Sequence, residues 1–136
     1  MMAGRLDGKT AIVTGAASRG EGVGNGKAMA IQFAREGAKV VLVNRTADRA
    51  LALQKEIADE GGTAMVFAGD MTVAADAQGA VDAALSAYGS LHVLVNNVGI
   101  GGGGGLTDAK EDDWDHLMQV NLKSMMLATR AAVPAM

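Results

Sequence analysis

The stretch from Ala11 to Glu36 limits what this chain can fold into more than any other part of it. A short apolar run, Ala11-Ile-Val-Thr14, leads into a glycine-rich turn from Gly15 to Gly26. Lys27 to Glu36 follows, with Met29 and Phe33 at i, i+4 beside Ala30 and Ala34. Across the turn the apolar pattern changes from that of a buried strand to that of a helix. A helix entered through glycines begins with unpaired main-chain N–H groups, and these, with the positive end of the helix dipole, suit a phosphate. Glycine is the residue that lets a backbone come close to such a ligand.

The rest of the chain repeats the strand–helix alternation. Leu6-Asp-Gly-Lys9 reads as a turn into a first strand at about Thr10 to Thr14, and Gly37 is placed to end the first helix in the left-handed conformation. Lys39-Val-Val-Leu-Val43 carries the continuous apolar run of a parallel strand buried on both faces. Asp48 to Glu60 is a predicted helix with Leu51, Leu53, Ile57 and Ala58 inward, ended by Gly61-Gly62. Thr63 to Ala68 is a third strand, and Ala74 to Tyr88 a third helix with Val81, Ala84 and Leu85 inward, stopped at Gly89. Leu91 to Val95 is a fourth strand; after Asn96-Asn-Val-Gly-Ile100 come five glycines, Gly101 to Gly105, expected to be a mobile loop that is costly to order. A last helix is predicted from near Asp112 to about Pro134. This is an α/β pattern, and right-handed crossovers give a doubly wound parallel sheet with strand order 3-2-1-4.

At 136 residues the chain has room for a single domain, 1–136, with a modest core. The formal net charge of −3 and the lack of a basic stripe argue against nucleic acid or an anionic membrane as partner. With no cysteine there is no disulfide framework and no thiolate metal site, and no metal ligand set is assigned. Met1 to Asp7 lack the apolar segment of a signal peptide, and no apolar run approaches membrane length. The expected setting is the reducing cytoplasm.

Several G-x-G pairs lie within the turn; Gly24-Asn25-Gly26 is chosen because the helical pattern begins directly after it. A nucleoside-triphosphate-hydrolysing loop would need G-x-x-x-x-G-K-[ST]. Here Gly26-Lys27 is followed by Ala28, Glu21 stands where the first glycine belongs, and Asn44 and Asn96 end strands where a metal-holding aspartate would be wanted. That reading is rejected. In a dinucleotide fold the residue about twenty positions on from the turn meets the adenosine ribose. It is Asn44 followed by Arg45, a pair better matched to a phosphorylated ribose than to a free one. NADP(H) is therefore favoured, with NAD(H) possible because Asp48 lies near enough to serve a free ribose.

Thr14-Gly15 with Gly24-x-Gly26, Asp70 after the third strand, Asn96-Asn97-Val98-Gly99 after the fourth and Asn121 in the last helix together resemble the classical short-chain dehydrogenase/reductase family. The resemblance covers the whole chain. It implies a nicotinamide-dependent oxidoreductase on a Rossmann-type sheet, moving hydride between cofactor and a small-molecule alcohol or carbonyl. It implies further that Gly15, Ser18, Gly24, Asn25 and Gly26 line the pyrophosphate, that Asp70 and the Met71 backbone meet the adenine, and that Asn97, Val98 and Gly99 flank the nearer ribose. Two departures stand out. The segment between Gly15 and Gly24 is about five residues longer than the family's usual turn, placing Arg19 to contact a phosphate from an added loop, Arg19 to Val23. Val98 replaces the family's alanine, adding bulk near the cofactor.

Asn121 also draws notice without the family. Trp114, Leu117, Asn121, Met125 and Ala128 fall on one helical face, so an amide interrupts an apolar stripe. A satisfied core asparagine is the plain account; the resemblance implies a catalytic role, holding a water in the proton relay. His92 and His116 are assigned nothing. The family's chemistry needs a Tyr, a Lys four residues later and a Ser, but Tyr88 is the lone tyrosine and is followed four positions on by His92. The expectation is an N-terminal, cofactor-binding part of a longer reductase, inactive as 136 residues. Its fourth strand would be an unpaired apolar edge, with Met118, Met125 or Met126 exposed on the last helix. The family pairs through that helix, so a homo-oligomer is expected. The alternative is a non-catalytic nucleotide-binding or oligomerisation module.

Overall fold

A computed structural model describes residues 3–20 and 22–136. Its centre is a parallel sheet in the order β3-β2-β1-β4, formed by β1 (Thr10–Thr14), β2 (Lys39–Asn44), β3 (Thr63–Ala68) and β4 (Val93–Val95). β1 is buried along its whole length, as is Val40 to Val43 of β2. The alternation of side chains divides these residues between two cores. Ile12, Val41 and Val43 meet α3 (Ala74–Tyr88) and α5 (Ser124–Ala132) through Ala77, Ala80, Val81, Ala84, Leu127 and Ala132. Val13, Val40 and Leu42 meet α1 (Asn25–Arg35) and α2 (Ala47–Asp59) through Ala30, Ile31, Ala34, Ala50, Leu53 and Ile57. Burial on both faces explains why these strands read as unbroken apolar runs.

Glycine sets where the helices stop. Gly37 takes φ +91° while its N–H donates to Ala34 O and that of Ala38 to Phe33 O, the paired bonds of a left-handed helix end. Gly61-Gly62 closes α2 in the same way on Ala58 and Ile57. β3 and α3 have the bounds read from the sequence.

On α2 Leu53 and Ile57 face inward as expected, joined by Ala50, while Leu51 and Ala58, also expected inward, are exposed. On α1 the buried positions are Gly26, Ala30, Ile31 and Ala34, while Met29 and Phe33 are not buried. On α1 the contact line follows glycine and alanine with Phe33 packed partly buried beside it, whereas on α2 it runs through Leu53 and Ile57.

The last helix departs further. α4 (Glu111–Met118) contains no buried residue, a π turn spans Gln119–Lys123, and α5 then buries Ser124, Leu127, Ala128 and Ala132. The predicted stripe through Trp114, Leu117, Asn121, Met125 and Ala128 is therefore not a buried face: Trp114 is 55% exposed and Met125 42%. The wider turn adds a residue to the helical repeat and rotates α5 relative to α4. Met118 and Met126 are exposed with Met125, as expected. β4 is shorter than predicted. Thr10 exchanges bonds with His92 instead, its N–H donating to the His92 Nδ1 and its carbonyl accepting from the His92 N–H. β4 pairs with β1 on one side and lies at the edge of the sheet. Gly101 to Gly105 are exposed and lead into a single 3-10 turn, Leu106–Asp108.

The phase of α2 is testable by substitution. Ile57→Ala, at a side chain 1% exposed, should cost about 2–5 kcal/mol in urea unfolding. Leu51→Ala, at 49% exposure, should shift stability by no more than about 0.5 kcal/mol. The reverse order would show that the helix is turned the other way.

Candidate functional site

Because all four strands are parallel, the segments leaving Thr14, Asn44, Ala68 and Val95 gather at one rim of the sheet. They border a cleft of about 1000 Å³. Gly15, Ser18, Arg19, Gly24, Asn25 and Gly26 line it from the glycine turn, and Asn44 and Arg45 from the end of β2. Asp70 and Met71 line it after β3, and Asn97, Val98 and Gly99 after β4. The cleft thus brings together every residue that the sequence assigned to a cofactor. Asn121 is not among its lining residues. Glu21, within the added loop, lies outside the described residues.

The tightest point of the site is where β1, α1 and the end of β4 cross. The Thr14 hydroxyl donates to Val95 O at 2.9 Å and accepts from the Asn97 N–H at 3.0 Å, while Asn97 Nδ2 donates to Gly15 O at 3.1 Å. Gly15 has φ +58°, and a Cβ there would lie 2.9 Å from Asn97 O. A Cβ on Gly26 would overlap Gly15 O and the Asn97 amide. At Gly26, then, the demand for glycine comes from helix–strand packing, whereas the sequence suggested ligand approach. Gly24 precedes α1 with an extended backbone and no side-chain cap. Its N–H donates to Ser18 Oγ at 2.9 Å, and the first bond of the helix runs from Ala28 N–H to Gly24 O. The N–H groups ahead of Ala28 stay outside the helical ladder at the cleft wall, as an anion site requires.

One end of the cleft is cationic. Asn44 Nδ2 donates to Thr46 O, leaving Arg45 exposed beside it. Arg49, to which the sequence analysis assigned nothing, reaches back from α2 to donate from Nη1 to Ser18 O at 3.2 Å, and it too lines the cleft. Asp48 lies among them. At the next strand end Asp70 Oδ1 accepts from both the N–H and the hydroxyl of Thr72, at 2.8 and 2.7 Å. Those two bonds hold the Asp70 carboxyl below its ordinary value, with a smaller contribution from the positive charge of Arg45.

Asn121 stands in the π turn. Its Oδ1 accepts from the Ile100 N–H at 2.7 Å and its Nδ2 donates to Ile100 O at 2.9 Å. It is exposed, so the core-asparagine account fails; its amide anchors the start of the glycine run. Tyr88 lies at the other rim, where α3 ends before β4, with Lys39 Nζ 5.6 Å from its ring centre. Burial raises its phenol above the ordinary value. His116 lines the cleft, a placement its helical pattern did not signal. Among the described residues no helix is long and apolar enough to cross a membrane, and no group of three or more His, Asp or Glu is placed to hold a metal.

The sequence model of the short chain dehydrogenases matches residues 9–136. The chain is 39% identical, over 98% of its length, to 2,5-dichloro-2,5-cyclohexadiene-1,4-diol dehydrogenase of Sphingobium indicum, covering 51% of that protein. It is 41% identical, over 99% of its length, to the 3-alpha-(or 20-beta)-hydroxysteroid dehydrogenase of Mycobacterium tuberculosis, covering 49% of it. Among solved structures, a metagenomic short-chain oxidoreductase in complex with NADP superposes with a TM-score of 0.86 at 39% identity, over 96% of this chain and 57% of that one. The chain spans about half the length of the curated relatives it matches.

Two outcomes test the site as described. Gly26→Ala should destabilise the fold by about 1–3 kcal/mol in urea unfolding, since the neighbours of the new methyl are backbone and a bonded amide; an unchanged midpoint would contradict the crossing. Asp70, its folded value lowered, adds stability that is fully present above the unfolded carboxylate value of about 3.9 and lost as pH falls through the folded one. The melting difference between the parent and Asp70→Asn should therefore be constant near neutrality and shrink as pH drops below the ordinary carboxylate range. A difference that grows on acidification would contradict the Thr72 bonds as its source.

Proposed function

Since the chain belongs to the short chain dehydrogenase family, we propose that it supplies the cofactor-binding part of a nicotinamide-dependent oxidoreductase. The reaction would interconvert a small-molecule alcohol and its carbonyl partner. The observation that carries this reading is the crossing at Gly15, Gly26 and Asn97: it leaves no room for a Cβ and presents free N–H groups to a cleft of dinucleotide size. When bound, the nicotinamide ring gives or accepts the hydride. The chain's own residues bind and orient. Gly15, Ser18, Arg19, Gly24, Asn25 and Gly26 hold the diphosphate, Asp70 and the Met71 backbone meet the adenine, and Asn97, Val98 and Gly99 flank the nearer ribose. Asn121 fixes Ile100 and with it the loop beside the reacting end; the family resemblance supports its part in a proton relay.

NADP(H) is the proposed cofactor, with NAD(H) the lesser one. Supporting it are the absence of a carboxylate at Asn44 and the guanidinium of Arg45 beside it at the cleft, together with a solved relative that holds NADP. Asp48, also on the cleft, is the group that favours a free ribose. The proposed setting is the cytoplasm, and the exposed Met118, Leu122, Met125 and Met126 support a homo-oligomer.

A second reading, binding without turnover, has one observation in its favour. Tyr88 lies at the rim opposite the cleft, so these 136 residues bring no phenol to the cofactor. They are expected to bind nucleotide and, by themselves, to turn over no alcohol.

Calorimetric titration with NADP+ and NAD+ tests the cofactor assignment. The protein should bind NADP+ more tightly, and Arg45→Ala should weaken NADP+ by about tenfold or more, the size of a lost charged hydrogen bond. A preference for NAD+ that survives Arg45→Ala would overturn the assignment.

A further inference from the structure

We propose that Arg49 is a second cofactor-selecting residue, forming with Arg45 a two-guanidinium seat for the 2′-phosphate of NADP(H); this rests on the nucleotide reading of the cleft given above. Arg49 occupies the first turn of α2, where the positive end of the helix dipole disfavours a cation. Among the described residues no ion pair compensates it. Among the described residues the ion pairs are Lys27–Glu56, Arg35–Glu60 and Lys55–Asp59, and neither Arg45 nor Arg49 is in one. Instead the Arg49 guanidinium lies back over the glycine turn, with Nη1 on the Ser18 carbonyl.

That anchor decides where the charge sits. A guanidinium has five donors in a rigid fork, and the bond to Ser18 engages one. Arg45, at the end of β2, borders the same cleft. Between them in sequence α2 begins directly after Thr46, whose side chain makes no cap bond, so the first N–H groups of the helix add to the positive potential. Among the described residues Asp48 and Asp70 are the carboxylates that line the cleft with Arg45 and Arg49. With Arg19 on the same cleft, three guanidinium groups and a helix start face two carboxylates, which leaves room for a further anion, and a phosphate monoester offers the planar arginine fork two oxygens at once. The free ribose of NAD(H) has no such charge, so the seat discriminates between the two.

The test is titration of NADP+ and NAD+ into the purified protein and its Arg49→Ala and Arg49→Gln variants, with the fold followed by circular dichroism. Arg49 is exposed and belongs to neither core, so Arg49→Ala is expected to melt as the parent does. Arg49→Ala should weaken NADP+ by about ten- to a hundredfold while changing NAD+ by less than about twofold. Arg49→Gln, which keeps a donor for Ser18 but no charge, should behave as the alanine variant does. Equal weakening of both cofactors, or recovery in Arg49→Gln, would mean that Arg49 only positions the glycine turn and would overturn the seat. An unchanged NADP+ affinity would also overturn it. If Arg49→Ala does not fold, Arg49→Gln decides alone, by a lowered or an unchanged ratio of the two affinities. A parent that binds neither cofactor overturns the proposed function and the seat together, whereas a parent that binds both, with variants of unchanged ratio, overturns the seat alone.

Discussion

Where α1 leaves the sheet, the backbone of Gly26 packs against the carbonyl of Gly15 and the amide of Asn97 so closely that a methyl group would not fit. The approach is possible because Gly15 turns through a positive φ, and it is held by the Thr14 hydroxyl, which ties β1 to both Val95 and Asn97. Local rigidity follows from these few bonds. They fix the direction in which α1 starts, and the start of α1 is where the unpaired donors are. A buried hydroxyl that both donates and accepts is well suited to this, because losing it would leave two main-chain groups without partners.

From that crossing the rest of the site follows by topology. Four parallel strands deliver their C-terminal ends to one rim, so segments far apart in sequence become neighbours without a dedicated scaffold. The two cores keep the strands in register, and the loops are left free to carry charge and hydrogen-bonding groups. Asp70 illustrates the division. Its carboxylate is set by its own turn, through the Thr72 N–H and hydroxyl, and only secondarily by Arg45 across the cleft.

Much of this was legible in the sequence, and the reasons differ from place to place. β3 and α3 could be bounded because they are punctuated by Gly69-Asp70 and Gly89. The strand order followed from the alternation of elements. The face of α2 was read too wide: Leu53 and Ile57 are buried, but Leu51 and Ala58 each stand one position on from a buried residue and turn to solvent. The π turn left no readable signal, since it shifts the repeat by a single residue within an otherwise regular helix. The length of β4 was set by the His92 ring, a side-chain acceptor that no strand pattern anticipates. The glycines and asparagines that line the cleft could be placed at the strand ends because they punctuate the apolar runs. Thr14 and Arg49 were missed because their partners, Asn97 and Ser18, are distant in sequence and were reached only by folding.

The central claim is that the glycine turn at the C-terminal rim holds a dinucleotide's diphosphate. Backbone amide NMR during titration with NADP+ tests it most directly. The account predicts that the largest shifts fall on the turn from Gly15 to Gly26, on Asp70 and Met71 and on Asn97 to Gly99, while Gly8, Gly37, Gly61 and Gly89, which mark the opposite rim, stay where they are. Shifts centred on those four glycines, or none anywhere at saturating cofactor, would contradict it.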